Sequence, residues 1–397
     1  MSLPNPPIRY ILGLAVTSVV ALGTISSMTA AVGAQGPAAT RPVVVARNLN
    51  NPRKIFIAPS GAIYVAEAGV GGQVKCLPPL SDPICLGLSG SIMKIAHGTR
   101  KRVVSGLVSV AGLSHTRADG PADVFVRGGT YYILIQDTTI DSKGSNALGP
   151  YGSTAGDLIS SSGGRAQPKV IADLAAYEAA HNPDRGAGRG ARLGDPPIDS
   201  DPYAFIPYRG GFAVADAAAN DLLWINPNGR ITTLAVFPTQ RVTLMPTVAR
   251  KIGAPNDMKS IVVQSVPTSV AVGPDGALYV GELTGIPFAP GRARIWRVVP
   301  GQNPSVYAAG FTTISDLAFA GKDLLVLEIT SRGLLDANSP GALIRVAPDG
   351  RRTVIASEGL VAPTGLAVGK RSIYIANYGL FPAAGHGPHG EIVRIPR

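Results

Sequence analysis

Six polar residues recur at one position of a repeated pattern, and they are the side chains of this sequence best placed to do chemistry. Short runs of β-branched and aromatic residues end in Glu67, Gln136, Asp216, Glu282, Glu328 and Asn377. Carboxylate and amide oxygens are the donors that suit a hard cation, calcium or magnesium. On that reading Glu67, Asp216, Glu282 and Glu328 are the metal candidates, ringed near a central channel. On a plainer reading each side chain caps the loop beside it or pairs with a nearby Arg or Lys, because repetition places equivalent residues at equivalent structural points. A second cluster is G-H-G-P-H-G-E near the C-terminus, with His386, His389 and Glu391. Two imidazoles and a carboxylate at this separation are donors for zinc or copper. Their spacing is not helical, so they form no metalloprotease motif, and loop histidines are ordinarily solvated. His97, His115 and His181 stand alone. The sequence has no G-x-S-x-G elbow, no phosphate-binding P-loop and no dinucleotide fingerprint.

The elements that carry the six residues are strands. In the clearest copy the first strand is Pro267 to Val272, followed by a turn at Pro274, Asp275 and Gly276. The second is Ala277 to Gly281, stopping at Glu282; the third is Arg294 to Val299 and the fourth Ser305 to Ala309. Runs this short, bounded by Gly, Pro, Asp and Asn, are strand-and-turn signals rather than helical ones. The first two strands recur from Asn51 to Glu67, Gly120 to Gln136, Asp201 to Asp216, Ile314 to Glu328 and Ala362 to Asn377, which makes six copies. The last copy ends at G-E-I-V-R-I-P-R, one strand short, and Pro42 to Arg47 at the other end is a strand without a partner. An all-β, six-bladed β-propeller is expected, closed by pairing the N-terminal strand with the C-terminal blade, since closure removes exposed edges. One helix is expected, over Ile171 to His181.

Composition agrees. The chain has 397 residues, with 48 Gly and 34 Pro as many tight turns require, and charged residues make up only 15 %. Residues 1 to 34 read as an export signal: Arg9 is the positive flank, Ile11 to Ala21 the apolar core, and Val32-Gly33-Ala34 the cleavage site before Gln35. An uncleaved anchor is the alternative, disfavoured by Thr17, Ser18 and Gly23 in so short an apolar run. Residues 41–397 then form the propeller domain, in a secreted or periplasmic, envelope-facing location. The only two cysteines, Cys76 and Cys85, suit a disulfide in such an oxidising compartment. With no histidine near, they are not a zinc site.

Loop length is uneven. The turns between first and second strands are tight, as are those between third and fourth. The long connections, among them Ala68 to Ser89, Ala175 to Pro202 and Pro238 to Pro267, fall on the opposite face by strand alternation. Loops gathered on one rim of a rigid scaffold are where binding or chemistry sits; propellers also tolerate insertions there with no site at all. A small molecule or a protein is the expected partner of that face, and a monomer the expected state. Net charge is +11 with a pI near 9.8. Basic groups lie at Arg185, Arg189 and Arg192 and at Arg250, Lys251 and Lys259. For an exported chain this suggests loose attraction to anionic envelope lipids or polymers, or plain solubility. Without aromatic residues interleaved, no nucleic-acid partner is expected.

Three strings, Ser265 to Phe288, Ala172 to Asp184 and Gly359 to Gly369, resemble the ScyD/ScyE family, and Val214 to Gly229 is similar to an NHL repeat. That family comprises exported NHL-like propellers named for the scytonemin pigment gene cluster of cyanobacteria. The resemblance spans nearly all of residues 41–397. It implies a TolB-like or NHL-like fold and export, and it brings no catalytic residues. A binding or scaffolding protein is therefore the expected function. The alternative is a metal-dependent hydrolase, lactonase or lyase of the gluconolactonase-like propellers, which resemble this chain in turn pattern. Ligands of that group stand at or beside the starts of inner strands. Here Arg53, Ala122, Tyr203, Thr268 and Thr364 follow the blade prolines and cannot serve, which leaves Asn51 and Asp201. A divalent cation, calcium, is the one cofactor considered: the hydrolase reading needs a bound metal, and the binding reading does not.

Overall fold

The structure is a computed structural model, and it describes residues 41–397 apart from 77–83, 113–117, 137–147, 166, 187–197, 256, 337–338 and 381–388. The export signal, His115, Arg189, Arg192 and His386 lie outside the described residues.

Repeats two to six each build one four-stranded antiparallel blade. Repeat four shows the pattern: Pro267–Val272, Leu278–Glu282, Ala293–Val298 and Ser305–Phe311, paired in sequence order. The turn between its first two strands closes with the Gly276 N–H donating to the Gly273 carbonyl, Gly276 lying at φ 76°. That left-handed conformation suits glycine and explains the recurrent Gly at this point. In repeat six the fourth strand is supplied by the N-terminus: Val43–Leu49 pairs antiparallel with Gly390–Pro396.

Repeat one departs from expectation. Five blades of four strands are present instead of six, and the first repeat makes a seven-stranded sheet. Its outer strands, Ile84–Ala96 and Thr99–Gly112, have 13 and 14 residues, twice the usual blade length. They overrun the blade, and the extra length recruits Lys75–Cys76 and Ala118–Asp119, while Gly164–Arg165 adds in parallel along the blade portion at Val104 and Ser105. Cys76 and Cys85 are register partners there and form the disulfide. That pairing suits a chain that folds in an oxidising compartment.

Two regions read as loops carry structure. Between repeats three and four, Gln240–Thr243 and Ser260–Val263 form a hairpin. A short helix, Pro246–Lys251, belongs to the same insertion, and Val242, Leu244, Ile261 and Val263 are the insertion's own small core. The expected helix begins three residues late, as α1 at Leu174–His181. Lys169–Asp173 pairs instead as the fourth strand of repeat two, and Asp173 Oδ1 caps the helix by accepting the Ala176 N–H at 2.7 Å. No helix among the described residues is long and apolar enough to cross a membrane.

The apolar core lies between neighbouring sheets. Ala46, Leu49 and Ile392 of the last blade pack with Ile55, Val65 and Met93 of repeat one. Leu49 is fully buried in that seam. Leu49→Ala is expected to lower stability by about 2 to 4 kcal/mol, read as the midpoint shift in urea unfolding of the oxidised protein.

Candidate functional site

Five of the six first strands carry an irregularity just after their start; Gly365–Val368 of repeat six pairs without one. The register skips between Pro52 and Ile55, Pro121 and Asp123, Pro202 and Ala204, Pro267 and Ser269, and Ile314 and Asp316. A bulge there re-aims two successive side chains. One set comprises Arg53, Ala122, Tyr203, Thr268, Ser315 and Thr364, all buried. The next position holds Lys54, Asp123 and Asp316, three charges inside otherwise apolar strands.

These groups meet where the first strands converge. Lys54 Nζ lies 3.0 Å from Asp316 Oδ1 and also donates to the Ser315 carbonyl. Its ammonium stands over the Tyr203 ring, 5.4 Å from the centroid. Asp316 Oδ2 accepts the Leu366 N–H at 2.7 Å, and Asp123 Oδ2 accepts the Phe205 N–H at 2.9 Å. Thr268 Oγ1 donates to the Ile314 carbonyl at 2.6 Å and Thr364 Oγ1 to the Pro52 carbonyl at 2.7 Å. Arg53 donates to the carbonyls of Gly379 and Ala118. Thus the polar atoms of one first strand repeatedly hold the backbone of the next. Burial pushes the Asp123 carboxyl up to about 7, against the lowering effect of the Phe205 N–H and the Lys54 charge. Burial likewise raises Asp316, with Lys54 pulling it back.

The six strand-end residues are placed differently from a cation ring. Glu67 accepts the Asn50 N–H at 2.8 Å, the Ser91 hydroxyl at 2.7 Å and two bonds from Arg102. Glu282 accepts the Ser265 hydroxyl at 2.6 Å, the Trp296 indole N–H at 3.0 Å and the Arg294 guanidinium at 2.5 Å. Asp216 accepts the Ser200 hydroxyl and the N–H groups of Asp201, Ala218 and Ala219. Glu328 takes the Thr312 N–H and Asn377 the Val361 N–H, both at 2.7 Å. Gln136 instead donates to Asp201 Oδ1 at 3.2 Å. In five repeats the side chain therefore grips its own blade at the entry to the first strand, four times through a backbone N–H and at Glu282 through the Ser265 hydroxyl. Among the described residues no three His, Cys, Asp or Glu side chains are grouped to hold a metal. In the C-terminal cluster, Glu391 pairs with Arg47 at 3.1 Å and His389 is exposed.

The loops leaving the second strands cover this end. Leu283, Ile286, Phe288, Ile329, Leu334 and Leu380 pack with Tyr203 and Val266 in one buried apolar cluster. Asn51 donates to the Gly69 carbonyl at 2.8 Å, and Asp201 receives Gln136, so both residues left for a hydrolase ligand set are engaged in loop packing. Reading the strand ends drew attention away from Lys54, Asp123 and Asp316. A charge within an apolar first strand, as in N-P-R-K-I-F-I and I-S-D-L-A-F, was the signal that marked them.

Two outcomes follow from these environments. Removing one partner of the Lys54–Asp316 pair, as in Lys54→Met, is expected to cost about 3 to 5 kcal/mol, because a buried charge is left alone. Lys54→Met with Asp316→Leu is expected to recover much of it, which a double-mutant unfolding cycle measures. Burial also holds Glu328 up at about 7, from an ordinary 4.5, against the Thr312 N–H and the Arg352 charge. The folded chain then binds the proton more tightly than the unfolded one, so this contribution is present below pH 4.5 and lost as pH rises through about 7. Glu328→Gln is expected to flatten that decline by on the order of 3 kcal/mol across the window, read from urea midpoints at a series of pH values.

No family model matches this chain, and no curated protein does. Among solved structures it is similar to regucalcin, a calcium-binding protein from Agrobacterium tumefaciens str. C58, at 10 % identity and a TM-score of 0.49, covering 90 % of this chain and 94 % of that one. A putative gluconolactonase aligns at 10 % identity and a TM-score of 0.46, covering 91 % and 94 %. A streptogramin B lyase aligns at 12 % identity and a TM-score of 0.45, covering 88 % and 94 %.

Proposed function

We propose that the protein is an exported propeller of the ScyD/ScyE type that acts as a binding or scaffolding platform through its long-loop face. The seven-stranded sheet serves as the sixth blade and the Val43–Leu49 strand closes the ring. Support for closure comes from the bonds of Thr364 to Pro52 and of Arg53 to Gly379, which tie repeat six to repeat one. The observation that carries the functional reading is how the centre is filled. Its charges are spent on one another and on backbone carbonyls, and the loops seal it with apolar side chains. What remains for a partner, a small molecule or a protein, is the outer surface of those loops. The envelope is the fitting location, with the basic surface favouring loose contact with anionic polymers there.

A screen of the secreted protein against lactones and esters, with calcium, magnesium, manganese or zinc supplied, tests this reading against the hydrolase alternative. No turnover above the uncatalysed rate is expected. Metal-dependent turnover that disappears in Asp201→Ala would overturn the platform reading.

A further inference from the structure

A second group of acids lies at the edge of repeat three, apart from the central charges. Helix α1 rests on this blade, its Tyr177 hydroxyl 3.0 Å from Thr233 Oγ1. The turn after α1 brings Asp184 against the end of the blade, where Asn220 Nδ2 donates to Asp184 Oδ2 at 2.8 Å. Asp199 precedes Ser200, whose hydroxyl is bonded to Asp216 at 2.6 Å. Asp216 ends the second strand and Asp221 opens the third, the two being register partners.

Two carboxylates of this group, Asp221 and Glu178, differ from the rest. Asp221 is fully buried and neither of its oxygens has a hydrogen-bond partner; Glu178, on α1, is 2 % exposed and its Oε2 has none. The charges acting on them are all negative: Asp216, Glu178 and Asp184 on Asp221, and Asp216, Asp184 and Asp199 on Glu178. A buried carboxylate without a donor or a cation is strongly disfavoured. At Glu67 and Glu282 the same fold supplies an arginine for the purpose. Here, among the described residues, no arginine or lysine is paired with either group, and three of their oxygens lack a hydrogen-bond partner.

We propose that Glu178 and Asp221 hold a hard divalent cation, calcium by its oxygen-only surroundings, that ties helix α1 to the end of blade three. Two carboxylates are the direct protein anions. Main-chain carbonyl and water oxygens complete the shell, as calcium sites commonly arrange, and Asp184, Asp199 and Asp216 supply negative charge around it. The competing occupant is a proton on each carboxyl. The site lies on the Ala175 to Pro202 connection of the long-loop face, but binding an ion there needs no partner, so it stands or falls independently of the platform reading.

The test is a calcium titration of the chelator-treated secreted protein, followed by calorimetry and by thermal unfolding. One ion per chain is expected, with an unfolding midpoint raised by a few degrees. Affinity is expected to fall at least roughly tenfold in Asp221→Asn and in Glu178→Gln, since ligand charge sets calcium affinity. Asp275→Asn, in an exposed turn, is expected to bind as the wild type does. Absence of heat and of any midpoint shift up to about 10 mM calcium, beyond the range of the weak extracellular modules, overturns the proposal in favour of the protonated pair. Binding that survives both substitutions overturns the assignment to these residues. Should Asp221→Asn fail to fold, Glu178→Gln carries the comparison, and the wild-type titration decides by itself whether an ion binds.

Discussion

The ion pair of Lys54 with Asp316 is the contact on which the centre of this molecule depends. Radial packing of first strands leaves a narrow core that water does not reach, so a charge placed there needs a partner supplied by another repeat. Lys54 comes from repeat one and Asp316 from repeat five, and they meet at 3.0 Å with the Lys54 ammonium also over Tyr203. Such a pair contributes little net stability compared with apolar replacement, yet neither half tolerates loss of the other. Its consequence is registry. Asp316 also accepts the Leu366 N–H, so one carboxylate orients three repeats at once. Asp123 does the same for Phe205 in the next blade.

Outward from the centre the fold repeats a second device, a buried acid or amide at the end of the second strand that holds the entry to the first. Its partners vary while its geometry does not. Glu67 and Glu282 are neutralised by Arg102 and Arg294, whereas Asp216 relies on a hydroxyl and three backbone N–H groups. This variation has an electrostatic cost in the repeats without an arginine. Asp216 and Glu328 are both raised by burial that their hydrogen bonds only partly offset. Around Asp216 the acids accumulate further, with Glu178, Asp184, Asp199 and Asp221 near it at the edge of repeat three.

The loops complete the division of labour. Apolar residues that look unremarkable in sequence, such as Leu283, Phe288 and Leu380, fold back over the strand ends and remove them from solvent. On the proposed platform reading, what is left for a partner is the outside of the loops rather than the polar strand ends. The hairpin with its short helix between repeats three and four extends that face with a core of its own.

Strand identity, turn chemistry and the repeat were legible because they are local: a period of two, glycine at left-handed turns and proline at strand starts are written in neighbouring residues. The unpaired N-terminal strand was legible because the last repeat lacked one, and the structure pairs Val43–Leu49 with Gly390–Pro396. The disulfide followed from there being two cysteines. The extent of repeat one was not legible, since Gly87, Gly90 and Gly106 read as breakers where the blade ends, yet the pairing of Ile84–Ala96 with Thr99–Gly112 runs through them with register shifts. Nor was the use of the strand-end acids. Glu67, Asp216, Glu282 and Glu328 are the same kind of residue at the same position, and a cation ring or a set of latches would look alike in sequence. Whether their oxygens face one another or the chain entering the blade depends on which N–H groups and arginines the fold brings within hydrogen-bond distance, and those partners lie up to 35 residues away. Sequence alone determined the kind of repeat; only the tertiary structure decided that five of the repeats close as four-stranded blades while the first makes a seven-stranded sheet, which charges are spent inside the fold and which oxygens are left over, because pairing between distant segments is a property of packing.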